Sequence, residues 1–413
     1  MSVRDRLDKL MEFGMLDLPA KRSHQREGAP ELHPFQRRET LRGVTWKHRE
    51  FFAGDHTHGN IPVGSLLSHG TGALPLLTGG GEAPGDWGDL LFVDTETTGL
   101  STGTGTYVFL VGLAYFTSGG VTVEQYLMPD PAEEEAFLIA VGERLDAFDH
   151  LASFNGKSFD VPLLSHRYTM NRMEAPLGFA GHCDLLHPAR SLWRSLLPSC
   201  SLGSLEHHRL GVTRIDDVSG AEVPARYFLF LDDGDFNHLA AVVHHNTLDL
   251  LSSVTLAAHM IELAEGTRSP HETLALGKMA RRAGDHDRAN AYFADVLADP
   301  ESLSSFFSAA GELSRWSKAS KRWEEALNLW DRMIQRIEGS DLGLTIPPSP
   351  YVEMAKYYEH QARDYVSALR YAERAMSHVR RQHRMQLGSF EEMTELQHRV
   401  QRLQRKMKAR SRT

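Results

Sequence analysis

The sequence predicts an α/β domain with a mixed β-sheet, followed by a domain built from helices alone. Strand-like and helical segments alternate between residues 89 and 263, and strand-like segments end after Pro270. The length of 413 residues suits two or three domains. Apolar residues make up 41% of the chain and charged residues 24%, which excludes a fibrous or wholly disordered protein.

No targeting or membrane segment is predicted. No run approaches the roughly 20 apolar residues that span a bilayer, and the N-terminus has scattered charges and no apolar core of a signal peptide. Two cysteines, Cys183 and Cys200, are too few for a disulfide framework or a four-cysteine zinc site. We therefore expect a cytoplasmic protein that does not bind membranes.

The charge distribution is uneven. Residues 86–270 carry 10 Lys and Arg against 25 Asp and Glu, whereas residues 1–85 and 271–413 have net charges of +1 and +5. An acidic middle is unsuited to non-specific binding of phosphates. It suits a site of clustered carboxylates that a divalent cation neutralises.

The first 85 residues are predicted to be a partly ordered N-terminal extension, because residues 54–88 are rich in Gly, Pro, Ser and Thr. A domain over residues 86–268 follows. Three strands in a meander, then alternating helix and strand, indicate a mixed sheet flanked by helices. The predicted strands are 89–96, 106–116, 121–128 and 150–155, and the predicted helices are 132–148, 160–168 and 236–263.

Residues 269–398 are predicted to form a tetratricopeptide-like helical domain. Leu276, Ala289, Phe293 and Pro300 have nearly the spacing of that repeat, but the next two helical pairs follow at 37 and 42 residues instead of about 34. A plain helical bundle is the alternative. Residues 399–413 carry seven Lys and Arg and no acid, and are predicted to be a basic tail.

Four acidic residues are the main candidates for a functional site. Asp94 and Glu96, in Asp-Thr-Glu, end the first strand and point to one face because they are two residues apart. Asp160 opens a helix, where the dipole favours a carboxylate. Asp249 lies among leucines on the long helix and needs a partner if it faces inward. Taken singly, each has an ordinary structural explanation. Asp94 and Glu96 could be a solvated acid pair, Asp160 a helix cap, and Asp249 part of an exposed polar stripe.

Together the motifs are specific. The order D-x-E, N-x-x-x-F-D and H-x-x-x-D resembles the three motifs of the DEDD 3′–5′ exonucleases, which have the ribonuclease-H-like fold. The segments DTETTGLSTGTGTYVFLVGL, SFNGKSFDVPLLSHRY, CDLLHPARSLW and HHNTLDLLS are more closely similar to the YprB-type ribonuclease-H-like family of bacterial proteins. These proteins often carry tetratricopeptide-like helices at the C-terminus. The resemblance covers about residues 40–263.

The resemblance implies that Asp94, Glu96, Asp160 and Asp249 bind two divalent cations. Oxygen ligands favour Mg²⁺ or Mn²⁺ over zinc. The implied activity is that of a metal-dependent nuclease of DNA or RNA, and more narrowly a 3′–5′ exonuclease. The alternative is a non-catalytic nucleic-acid-binding or scaffold protein whose helical repeats bind a protein partner.

Exonucleases of this superfamily place Tyr four residues before the last Asp, or His five before it. Here His245 has the tyrosine spacing and His244 the histidine spacing. Either is a candidate general base, and His245 is preferred because it lies one helical turn from Asp249. Three residues within the motifs are expected to contact substrate: Thr97, Asn155 and Lys157.

An acidic domain needs cations to hold a polyanion. The basic tail is the predicted source, in particular Arg399, Arg402, Arg405, Lys406, Lys408, Arg410 and Arg412. The alternative is a local basic patch near Lys157 and Arg167.

Overall fold

The computed structural model describes residues 32–99, 105–215, 217–299, 302–387 and 390–410. The chain forms two compact units, of which one ends at His286 and the other begins at Asp287.

The first unit is built on a β-sheet. Its strands are β1 Gln36–Thr40, β2 Gly43–Ala53, β5 Leu90–Thr97, β6 Val108–Thr117, β7 Gly120–Leu127, β8 His150–Ser153 and β9 Gly181–Asp184, while β3 Thr57–His58 and β4 Ile61–Pro62 pair separately. The seven strands lie in the order β1-β2-β7-β6-β5-β8-β9. The meander of β5, β6 and β7 is antiparallel, whereas β8 is parallel to β5 and β9 is parallel to β8. The predicted mixed α/β sheet of the ribonuclease-H-like class is confirmed.

Helices surround this sheet. They are α1 Leu74–Thr78, α2 Glu134–Leu145, α3 Asp160–Met170, α4 Leu186–Trp193, α5 Leu202–Leu205, α6 Val223–Asp233, α7 Asn237–Glu265 and α8 Pro270–Arg282. Helix α2 packs on β2 and β7, and α7 packs on β5 and β6. Because helices cover them, β6 and β7 are buried along almost their whole length, which explains the nearly continuous apolar sequence of β6.

The structure corrects the predicted N-terminal extension. Residues 36–53 form β1 and β2, and β2 pairs with β7 from Trp46 to Ala53, so these strands belong to the first domain. Residues 1–31 lie outside the described part of the chain. The composition of the segment after β2 is typical of a loop. Even so, this segment contributes Val63, Leu66 and Leu74 to the core.

The predicted boundary at residue 269 differs from the observed one. Helix α8 packs against α4 within the first unit. The fully buried Trp193 donates its indole N–H to Glu272 Oε1 at 2.9 Å, and Glu272 also forms a capping box with Ser269. These contacts attach α8 to the sheet domain.

Helix α7 is an exception to the expectation that no apolar segment is long enough to span a bilayer. By length and composition this 29-residue helix is able to cross a membrane, but 78% of its apolar window is buried inside the protein. That burial is typical of the core helix of a folded domain.

Helices alone form the described part of the second unit after Asp287. They are α9 His286–Ala298, α10 Leu303–Ala319, α11 Trp323–Glu338, α12 Ser349–His360, α13 Tyr365–Arg384 and α14 Phe390–Arg410. Packed antiparallel neighbours are a property of helical repeats, and here α10 packs on α11, α12 on α13 and α13 on α14. The tetratricopeptide character of these pairs stays a prediction.

The predicted basic tail is part of α14 as far as Arg410. Arg399, Arg402 and Lys406 all donate hydrogen bonds to Glu359 of α12, at 2.8 to 3.0 Å. Glu359 is buried, so the three cations satisfy a carboxylate that water cannot reach. Three of the expected substrate-binding cations, Arg399, Arg402 and Lys406, are therefore engaged inside the helical unit.

Candidate active site

The four predicted acids lie on elements that meet beside β5. Asp94 and Glu96 are in the last half of this strand, and the pairing with β6 becomes irregular between Glu96 and Thr97. Asp160 begins α3 after β8, the parallel neighbour of β5, and the carboxyl ends of parallel strands share one edge of a sheet. Asp249 lies on α7, which packs on β5.

The four carboxylates interact electrostatically. Burial raises the pKa of Asp94 well above its ordinary value, and the carboxylates of Asp249, Glu96 and Asp160 raise it further. Burial also raises the pKa of Glu96 well above its ordinary value, and Asp249 and Asp160 again add to the effect. Like charges in a low-dielectric site disfavour ionisation in this way. Asp94, Glu96, Asp160 and Asp249 are therefore close enough to affect one another's ionisation, and they are called the carboxylate cluster below.

Asp160 is held by the strand next to it. Thr95 Oγ1 donates a hydrogen bond to Asp160 Oδ1. Burial raises the pKa of Asp160 to about 6, and the bond from Thr95 opposes that rise. A Cβ on Gly156 would lie 3.0 Å from Asp160 Oδ2 and 2.5 Å from Ser153 Oγ, so the turn before α3 has room only for glycine here.

Asn246 is a site residue that the sequence analysis missed. Its side chain is fully buried, and Nδ2 donates to Asp94 Oδ2 at 2.7 Å. Its Oδ1 accepts from Gln125 Nε2 at 2.8 Å, which fixes the orientation of the amide. The close approach requires glycine on β6, since a Cβ on Gly112 would lie 2.1 Å from Asn246 Oδ1. The sequence did contain one indication of this role, since Asn246 lies three residues before Asp249 on a helix that faces inward.

Arg214 is the second missed residue. Its Nη2 donates to both Asp249 Oδ1 and Glu206 Oε1, and its Nη1 donates to Asp217 Oδ2 at 2.9 Å. Only 13% of the Arg214 side chain is exposed. Burial disfavours its charge, but the hydrogen bond and charge of Glu206 and the charge of Asp249 outweigh burial and raise the pKa of Arg214 above its usual range. Glu206 itself lies in a one-turn π-helix, a distortion that is frequent at functional sites.

The two candidate histidines have different surroundings. His245 Nδ1 lies 2.8 Å from Asp217 Oδ1, and His245 Nε2 lies 3.6 Å from Asp249 Oδ2. His244 is exposed and has no hydrogen bond or ion pair with any residue in the described ranges. His245 is thus the histidine next to the carboxylates, and its role as a base stays a prediction.

The three expected substrate contacts lie beside the cluster. Thr97 Oγ1 donates to Gly99 O at 2.8 Å. Asn155 adopts a left-handed conformation with φ of 66°, and the main-chain N–H groups of Asn155 and Lys157 donate to the two oxygens of Asp184 at 2.8 and 3.1 Å. Asp184, which the sequence analysis did not single out, therefore shapes the turn that carries Asp160.

Arg167, the other expected basic residue, is buried and bonded to Glu134 through both Nε and Nη2. It stabilises the core and is not a surface cation.

Similarity to known proteins identifies the family. The chain is 34% identical over 294 residues to the protein YprB of Bacillus subtilis (strain 168), and the match covers 70% of this chain and 69% of YprB. This chain belongs to the YprB family. Residues 91–261 also match a family of the RNase_H superfamily, a range that runs from β5 through most of α7 and contains all four acids of the cluster. This YprB-family protein therefore has the ribonuclease-H-like fold predicted from its motifs.

Among solved structures, the chain is similar to the family B DNA polymerase of the hyperthermophilic archaeon Pyrobaculum calidifontis. The similarity has 15% sequence identity and a TM-score of 0.34, and covers 58% of this chain and 34% of the polymerase. The chain thus spans about a third of that polymerase. Membership of the RNase_H superfamily by itself supports a nuclease-type function on nucleic acid.

Proposed function

We propose that this YprB-family protein is a divalent-metal-dependent nuclease, and more narrowly a 3′–5′ exonuclease. One observation carries the proposal. Asp94, Glu96 and Asp160 are largely buried carboxylates in one cluster, and within the described ranges none of them has a cationic side chain at ion-pair distance. Burying such charges without a neighbouring cation costs free energy, so a bound cation would stabilise the cluster.

The donor set fits a hard divalent ion. All four candidate ligands, Asp94, Glu96, Asp160 and Asp249, offer carboxylate oxygens, which Mg²⁺ and Mn²⁺ prefer. In the described part of the chain no three acidic, His or Cys side chains are already gathered around one point, and Arg214 holds Asp249. Two such ions, when bound, activate a water and stabilise the attacking and leaving oxygens at phosphorus.

His245 is the proposed acceptor of the proton from the attacking water. Asp217 contacts Nδ1, which leaves Nε2 on the side of Asp249. A proton on Nδ1, donated to the Asp217 carboxylate, would orient the ring and leave Nε2 to take up a proton, while Arg214 Nη1 also lies 3.2 Å from Nδ1. A base positioned in this way contributes about 10²–10⁴-fold to the rate.

The experiment that tests the proposal uses single-stranded DNA and RNA labelled at the 5′ end, with Mg²⁺, Mn²⁺ or EDTA. The wild type should shorten the strands from the 3′ end only when a divalent ion is present. Asp94→Asn and Asp249→Asn should abolish shortening, while Asp233→Asn, which changes an exposed carboxylate at the end of α6, should not. Full activity of both cluster variants contradicts the proposal. Binding of the strands without cleavage by the wild type would favour the alternative, a non-catalytic nucleic-acid-binding protein.

A further inference from the structure

A groove of about 280 Å³ borders the turn that carries Asp160. Three elements of the first unit supply basic side chains to it: Lys157 from the turn after β8, His187 from α4, and Arg282 from the end of α8. The groove is unexpected, because residues 86–270 carry 10 Lys and Arg against 25 Asp and Glu. It exists because α8 belongs to the sheet domain.

The cations of the groove are available to a ligand. Lys157 and His187 are exposed, and their side chains have no ion-pair partner among the residues that the structure describes. Arg282 Nη2 donates to Ser191 Oγ at 3.0 Å, and this neutral hydroxyl orients the guanidinium without cancelling its charge. An oriented guanidinium and a lysine are the usual partners of phosphate oxygens.

One acid lies among the groove residues, and its bonds are already occupied. Asp184 is 2% exposed and accepts main-chain N–H groups from Asn155, Lys157 and Leu186 at 2.8, 3.1 and 3.1 Å. Hydrogen bonds of this kind stabilise the carboxylate and use the oxygens that would otherwise pair with Lys157. Asp184 therefore builds the groove and leaves the positive charge of its rim to a ligand.

The groove and the carboxylate cluster share the turn at residues 155–160. Lys157 follows Gly156, whose main chain is so near Asp160 that an added Cβ would lie 3.0 Å from its Oδ2. A strand whose reacting phosphate lies at the cluster therefore passes next to Lys157. On α14, by contrast, Arg399 and Arg402 are bonded to Glu359.

We propose that this groove, through Lys157, Arg282 and His187, binds a phosphodiester of a single-stranded nucleic acid that lies next to the bond being cut. The inference rests on the proposed function and adds to it the means by which an acidic domain holds its substrate.

The test measures binding without cleavage. A fluorescent oligodeoxythymidylate, protected at its 3′ end by phosphorothioate linkages, is titrated with the full-length protein in Mg²⁺ over about 50–200 mM salt. Lys157→Ala/Arg282→Ala should weaken binding and reduce the slope of log K against log salt by about 0.7, since the pair contacts one phosphate and each phosphate contact on a single strand contributes about 0.7. The conservative pair Lys157→Arg/Arg282→Lys should restore both quantities. The matched control is Arg37→Ala/Arg42→Ala, which removes two exposed cations at or beside β1, the opposite edge strand of the sheet.

The outcomes separate the inference from the proposed function. If the wild type binds the strand and the groove pair binds it with unchanged affinity and salt slope, the inference is wrong and the nuclease proposal stands. An equal loss in the control pair also overturns the inference, because net charge alone would then explain the effect. Complete displacement of the strand by inorganic phosphate at matched ionic strength would assign the groove to free phosphate instead. If the wild type binds no oligonucleotide, both proposals fail.

Discussion

Removal of Arg214 tests the electrostatics of the candidate site. Its guanidinium contacts the carboxylates of Glu206, Asp217 and Asp249, and only 13% of its side chain is exposed. Removing one partner of a buried ion pair costs about 3–5 kcal/mol, because the remaining charge is left uncompensated. We expect Arg214→Ala to lower the free energy of unfolding of the first unit by about 3–5 kcal/mol when divalent ions are absent.

Binding of a divalent ion should restore much of the free energy of unfolding that Arg214→Ala loses. The variant adds an unpaired Asp249 to a cluster that already repels itself, so it should bind Mn²⁺ more tightly than the wild type does. An ion present at about 100 times its dissociation constant stabilises the folded state by about 2.7 kcal/mol. The stabilisation by Mn²⁺ should therefore be larger in the variant than in the wild type at the same ion concentration.

Amide hydrogen exchange within α7, followed in EDTA and in Mn²⁺, reports on the first unit alone. The matched control is Arg167→Ala, since Arg167 is 5% exposed and pairs with Glu134. It should lose stability in EDTA, and Mn²⁺ should stabilise it no more than the wild type. The electrostatic reasoning is refuted if Arg214→Ala costs nothing in EDTA, or if Mn²⁺ stabilises both variants to the same extent.

Three further predictions concern packing, catalysis and pH. Gly112→Ala would put a Cβ 2.1 Å from Asn246 Oδ1, and such overpacking should cost about 1–3 kcal/mol in chemical denaturation and slow cleavage; a variant with wild-type stability would contradict the contact. His245→Ala should slow cleavage by about 10²–10⁴-fold, while His244→Ala should have a mild effect, and the reverse order in a turnover assay would reassign the base. Burial by itself would raise the pKa of Glu359, but its cationic partners lower it to about 2, so its contribution to stability is present above the unfolded pKa of about 4.3 and is lost as the pH falls towards 2. The stability difference between wild type and Glu359→Gln should therefore shrink between pH 6 and 3.5 in equilibrium unfolding, and a constant difference would show that the carboxylate is not the titrating group.

The elements with a strong local pattern were predictable from the sequence. Strands β5 to β7 are strand-like runs rich in apolar and β-branched residues, and α2, α3 and α7 have a helical period, so each was predicted within a few residues of its observed bounds. The membership of β2 in the sheet was not predictable, because it depends on pairing with β7, from Trp46 with Leu127 to Ala53 with Gly120, far along the chain. Pairing at such sequence separation leaves no local signal.

The candidate site likewise contains residues that were predictable from the sequence and residues that were not. The four acids were predicted because the order of their motifs resembles that of the DEDD exonucleases, and strand periodicity by itself placed only Asp94 and Glu96 on one face. Arg214 lies in an irregular segment, and its partners Glu206 and Asp249 are 8 and 35 residues away, so only the folded chain brings the three together. Asn246 reads as an ordinary polar residue of a helix until the glycine on the opposite strand is known to make room for it.

The attachment of α8 to the sheet domain determines where this chain can be divided. A shortened protein that stopped before Pro270 would leave the indole N–H of the fully buried Trp193 without its acceptor on Glu272, and would also lose Arg282 from the groove. A shortened protein that continued to His286 would keep both. Exchange of helical modules between relatives of this protein would for the same reason preserve the sheet domain only if the joint falls after α8. The exchangeable module is then the unit that begins at Asp287, and α8 is inherited with the sheet domain.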